Sequence, residues 1–90
     1  MVYADTKDPN DVDSFSLDWT NVLGSETIST ITTSVTSGGV TLGTPAISSA
    51  ITSVMVTGGT AGTPAVILFR ITTSGSRTLD ESMTIPIADL

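Results

Sequence analysis

The chain reads as an all-β protein, a sandwich of about seven short antiparallel strands. Three observations predict this. Ser and Thr make up about a third of the 90 residues and stand beside Val and Ile, a composition that suits pleated, half-buried surfaces. Apolar runs recur with turn residues between them at spacings of roughly 8–12 residues, the rhythm of an immunoglobulin-like β-sandwich. Residues 54–73, VMVTGGTAGTPAVILFRITT, set two β-branched runs around a Gly-rich corner, where glycine permits backbone angles that side chains forbid. A small barrel is the competing architecture. No segment reads as a helix, and no internal repeat is visible.

The elements follow in order. Residues 1–13, MVYADTKDPNDVD, are acidic and lack periodicity. They read as an extended N-terminal arm, with Asp5, Asp8, Asp11 and Asp13 repelling one another. A partner or a packing contact is expected to order it, since a free arm of this kind is usually disordered. The sandwich domain then spans 14–90. Phe15, Leu17 and Trp19 alternate with Ser16 and Asp18, a half-buried strand. Residues 21–25 turn, with Gly24 as the hinge. Thr27 to Ser37 form the second strand. Its apolar phase slips between Ile28 and Ile31, which a bulge near Ser29 or Thr30 explains.

After the turn at Ser37-Gly38-Gly39, Val40 and Leu42 make a short strand ended by Gly43-Thr44-Pro45. Ala46 to Thr57 form the next strand, with Val54 and Val56 inward and Met55 outward. Beyond the Gly58–Gly62 corner, Ala65, Ile67, Phe69, Ile71 and Thr73 face one way; Val66, Leu68, Arg70 and Thr72 face the other. Ser74-Gly75-Ser76 is a hairpin turn. The last strand, Thr78 to Ala88, places Met83, Ile85 and Ile87 inward. Pro86 cannot donate to a ladder, which puts this strand at an edge or at the end of its pairing. The expected core is Phe15, Leu17, Trp19, Val54, Val56, Ile67, Phe69, Ile71 and Ile85.

Composition excludes several functions. Three basic residues against nine acidic ones give a net charge of −6. A nucleic-acid backbone or an anionic membrane surface needs clustered Lys and Arg instead. No run is long enough to span a bilayer, and the N-terminus has no signal-peptide pattern. There is no Cys, so no disulfide staples the domain, which fits a cytosolic origin. A single small domain of this size is marginally stable by itself, and neighbouring subunits are the natural source of further stability.

The candidate chemistry is thin. Asp8, Asn10 and Asp13 offer oxygen ligands, but the glycine and terminal glutamate of a calcium loop are missing and Pro9 stiffens the segment. A solvated arm or a docking contact is the better reading. Asp80 and Glu81 point to opposite faces of a strand, so they cannot serve one substrate as a glycosidase pair would. Asp18 is placed to pair with Lys7 or Arg70. The many hydroxyls have no His to act as base, and Lys7 lies in the acidic arm. The Gly58–Gly62 loop lacks the Lys and helix of a phosphate cradle. No enzyme, cofactor or metal site is expected. The lone Trp19 reads as core. The outward apolar Val66 and Leu68 mark either a subunit contact or a face covered by another strand or the arm.

Placed in order, these pieces resemble a known family. Lys7-Asp8-Pro9, Phe15, Asp18-Trp19 and Leu23-Gly24 are similar to the start of small tailed-phage virion proteins, where the pattern reads roughly KDPxxxxDFxxDWxxxLG. A Ser/Thr-rich strand like Thr27-Ile28-Ser29-Thr30 follows. Then come GGTAGT at Gly58 to Thr63, RITT at Arg70 to Thr73, Gly75 and Arg77-Thr78. The likeness covers most of residues 7–87 and resembles the phage fiber-tail adaptor family, with an immunoglobulin-like fold. Two departures stand out. Relatives tend to carry an aromatic just after the corner, where this chain has Pro64-Ala65, and polar residues where it has Leu68 and Phe69.

The resemblance implies a non-enzymatic virion protein of the phage tail, made in the bacterial host cytoplasm. It would join tail fibre or tail components to the head–tail assembly in a symmetric, multi-copy arrangement. Its partners would be tail, fibre, portal or adaptor subunits, with neither nucleic acid nor membrane. Lys7, Asp8, Pro9 and Asp11 of the arm, with Val66, Leu68 and Arg70, are the expected protein interface. A capsid decoration or cement protein is the alternative, distinguished by icosahedral position. A carbohydrate- or cell-surface-binding module is another, which predicts exposed aromatics or a metal in a groove.

Overall fold

The computed structural model describes residues 2–90. Its elements are β1 (Val2–Tyr3), β2 (Val12–Asp18), α1 (Thr20–Leu23), β3 (Ile28–Ser37), β4 (Val40–Leu42), β5 (Ala46–Ser48), β6 (Ile51–Gly58), β7 (Ala65–Thr73) and β8 (Thr78–Ile85). Two sheets form. The first has the order β1-β8-β7-β3; the second has β2-β6-β4, with β5 also paired to β6. Among the described residues the named strands pair antiparallel except β1 with β8, and an isolated Lys7–Ile87 bridge continues in the parallel sense. The result is an all-β sandwich.

Alternation builds the core. On β7, Ala65, Ile67, Phe69 and Ile71 are all fully buried. In the same sheet Ile67 stands between Val35 and Met83, and Ile71 between Ile31 and Leu79. From the second sheet Phe15 pairs with Val54, and Val56 lies one step of the alternation further on. Trp19 follows β2, where its indole N–H donates to the Thr52 hydroxyl at 2.9 Å inside the core. That bond satisfies two polar groups that would otherwise be costly to bury. Each large apolar side chain fully buried here stabilises the fold by about 1.5–3 kcal/mol relative to exposure.

Several local features differ from the sequence reading. The turn after Trp19 contains a single helical turn, Thr20–Leu23, ended by Gly24 at φ 62°. Four residues are too few to show helical periodicity in a sequence. The segment Ala46 to Thr57 is two strands, β5 and β6, separated by a tight turn with Ser49 at φ 55°. The last strand ends at Ile85, before Pro86. Asp18 pairs with neither Lys7 nor Arg70: it accepts from the backbone and hydroxyl of Thr20, while Arg70 is forked onto Asp80. The predicted slip in the second strand is present between Ile28 and Thr30, and a second one lies between Val35 and Ser37.

Candidate protein interface

The N-terminal segment does not extend away from the domain. Val2 and Tyr3 pair in parallel with Met83 and Thr84. The Ala4 amide donates to Thr84 O, the Lys7 amide to Pro86 O, and the Ala88 amide to Lys7 O. The chain's own C-terminal segment therefore supplies the order expected from a partner or a packing contact. A parallel ladder was available because the β8 edge would otherwise stand open.

Lys7 fixes this arrangement. It is only 2% exposed, and its ammonium donates to Gly58 O at 2.7 Å and Asp8 O at 2.9 Å. Gly58 opens the Gly-rich corner, where Gly58, Gly59 and Gly62 all adopt positive φ. A Cβ at Gly59 would stand 3.1 Å from the Ile87 side chain, and the Gly62 amide donates to Ile87 O. Arm, corner and C-terminus thus meet in one knot. Lys7, expected at an interface, is instead the pin of that knot. Long-range burial overrides the usual exposure of lysine because carbonyl oxygens meet the charge.

The remaining interface candidates lie elsewhere. Asp8 is half-buried, with its two carboxylate oxygens taking the Leu90 and Asn10 amides. Those bonds, with Leu90 first, hold its pKa below the ordinary aspartate value. Oxygens committed to the backbone are poorly placed to ligate a metal. Among the described residues no cluster of His, Cys, Asp and Glu is arranged to hold one. Pro9 is half-buried and Asp11 exposed. Val66, Leu68 and Arg70 share the outer face of the first sheet, opposite Thr84, Ser82 and Asp80 of β8. Val66 and Leu68 are half-buried there rather than fully exposed.

The Arg70–Asp80 fork, at 2.7 and 2.9 Å, raises the arginine pKa and lowers the aspartate pKa, each mainly through that hydrogen bond. Arg77 donates to Glu26 at 3.0 Å and to Val22 O, tying the β7–β8 hairpin to the end of α1. Glu26 is held below its ordinary value by the Thr73 hydroxyl first and by Arg77 second. Each of the chain's three cations is thus tied to its own scaffold. Phe15, Trp19 and Phe69 are buried, while Tyr3 is 76% exposed.

Sequence reasoning missed another surface. The outer face of the second sheet exposes Ile51 and Met55 beside Ser14, Ser16 and Ser53. Met55 was assigned outward by alternation, but its isolation gave no sign of a patch. Among the described residues no helix is long and apolar enough to cross a membrane.

Fold and side chains together define an all-β sandwich braced by its three basic side chains. Its lineage is specific: the family model for podophage GP4 fiber-tail adaptor protein gp77 matches residues 7–86, and the chain belongs to that family. It is accordingly a structural adaptor protein of the phage tail. Among curated proteins and among solved structures, none matches significantly. The matched range contains the pin Lys7, the core Trp19, the corner glycines and the braced Arg70 and Arg77.

Proposed function

We propose that this chain is a non-enzymatic subunit joining tail-fibre or other tail components to the head–tail assembly of the virion. The family match over nearly the whole sandwich carries this reading. The mechanism is geometric. A small domain, 41 Å long and about half as wide, holds its faces in fixed relation and presents them to neighbouring subunits. Pro9, Asp11 and the exposed side of Asp8 form one contact. Val66, Leu68 and Arg70 form another. Lys7 contributes by fixing the arm's path. Copy number follows the rotational symmetry of the tail, and the chain reaches the virion after synthesis in the host cytoplasm.

The strand order supports an immunoglobulin-like reading of the sandwich. The sheet β3-β7-β8 corresponds to C-F-G of such domains, and β2-β6 with β4 and β5 to B-E-D. A reconstruction of the intact particle tests the adaptor role. The expected result places this chain on the tail axis, in contact with fibre or tail subunits. Copies arrayed icosahedrally over the capsid would overturn it in favour of a decoration protein.

A further inference from the structure

β3 presents the longest uncharged edge among the described strands. It ends its sheet and, among the described residues, pairs only with β7. In an antiparallel ladder every second residue turns its N–H and C=O away from its one neighbour. Such an edge is a template for another strand, and proteins usually blunt it with charge, proline or shortness. β3 has ten residues and contains no charge and no proline. Two register steps bracket it, between Ile28 and Thr30 and between Val35 and Ser37. They leave Thr30 to Val35 as a regular, uninterrupted run.

The surroundings specify the occupant. From Thr27 to Phe69 no residue carries a charge. The nearest ions are already neutralised: Arg70, opposite Thr32, by Asp80, and Glu26 by Arg77. Beside the edge an open groove runs between the sheets, lined by Ile31 and Thr33 on one wall and Leu42 and Pro45 on the other. Val35, on the same inward face, is 38% exposed. A strand that fits here is uncharged, has an unpaired edge of its own and alternates apolar with small polar residues. β3 itself meets all three conditions. Two chains of net charge −6 repel over most orientations, and this flank lets them approach with least repulsion.

We propose that β3 is a homotypic docking edge. It pairs antiparallel with β3 of a second copy, about a two-fold axis, and joins the two four-stranded sheets into one. Thr32 and Ser34, both exposed on the outer face, then face the same residues of the other copy. Ile31, Thr33 and Val35 lose solvent on the inner face. This pairing does not depend on the adaptor role, since it follows from edge chemistry alone.

Sedimentation equilibrium of the purified full chain tests it. The wild type is expected to shift from one to two chain masses with concentration. T32K/S34K and T32E/S34E, each verified as folded by far-UV circular dichroism, are expected to dissociate at least about tenfold more readily, because like charges then meet across the pair. Mixing the two variants is expected to restore a 1:1 dimer. Amide exchange of the wild type gives a second readout, with protection within residues 30–35 rising with concentration. A wild type that stays monomeric throughout overturns the proposal. So does a dimer insensitive to both variants, or one broken instead by Met55→Lys on the other sheet. Finding β3 occupied in the virion by a strand of a different protein, with no dimer in solution, also overturns it.

Discussion

The two flanks of this sandwich solve the same problem in opposite ways. Both end in an edge strand. On one side β2 carries Asp13 and Asp18, and residues 2–6 of the N-terminal segment line a groove beside it, adding Asp5 to that flank. The Lys7 pin and the parallel β1–β8 ladder hold the segment in place. On the other side β3 is longer, carries no charge and, among the described residues, has no strand paired to its outer edge. Acidic edges repel strands of an equally acidic protein; a neutral edge admits them. The net charge of −6 is therefore distributed unevenly, and the distribution distinguishes a guarded flank from an available one.

Breaking the guarded flank should give the largest effect. Lys7→Ala removes the buried ammonium, leaves Gly58 O without its donor and opens a void beneath the arm. The expected loss is about 2–4 kcal/mol, read as a lower urea midpoint. Amide protection in residues 2–8 should fall with it. If stability were unchanged, Lys7 would not be the pin. The neutral flank has its own vulnerable point in the turn between β3 and β4. Gly38 lies at φ 101°, and a Cβ there would stand 2.3 Å from Ala65 Cα. Gly38→Ala should cost more than about 1 kcal/mol, from backbone strain together with the clash.

A substitution between the flanks sharpens the contrast. Trp19→Phe keeps an aromatic ring but strands the Thr52 hydroxyl, with an expected cost of about 1–3 kcal/mol in chemical denaturation. Adding Thr52→Val should recover part of that loss, because both members of the hydrogen bond are then gone. A further comparison concerns solution mass. Ser14→Lys and Ser16→Lys on β2 should leave self-association unaltered, whereas the charged substitutions on β3 weaken it at least about tenfold.

Acid provides the smallest and most distributed effect. Asp8, Asp18, Glu26 and Asp80 all have folded-state pKa values below their ordinary ones. Each therefore contributes stability that is fully present above its unfolded-state value. That contribution is lost as pH falls through the lower folded-state value. Thermal midpoints should stay flat from neutral pH down to about 5 and decline below about 4. High salt should weaken the surface Arg70–Asp80 and Arg77–Glu26 contributions within that range.

Much of the fold was legible in the chain. The alternation from Ala65 to Thr73 assigned each β7 residue to a face, because a strand's side-chain period is two and one face must be dry. The phase slip between Ile28 and Ile31 located a real irregularity. The Gly-rich corner was visible because only glycine accepts several positive φ angles in succession. The candidate interface was less legible. Lys7 looked like a surface charge, since nothing local distinguishes a lysine in solvent from one whose carbonyl partner lies fifty-one residues away. The arm looked unattached because its ladder joins opposite ends of the chain. The short helix left no periodic trace.

The sequence by itself determined which residues form strands, which side of most strands is dry and that the ionic inventory is acidic. These follow from side-chain volume, branching and charge, which act over a few residues. Only the tertiary structure decided which strands became edges, which edge the acidic segment guards and where the buried lysine finds its acceptors. Those outcomes depend on pairing between residues far apart in the chain. Strand propensity is silent about such pairing, because a strand has the same composition whether or not a neighbour covers it.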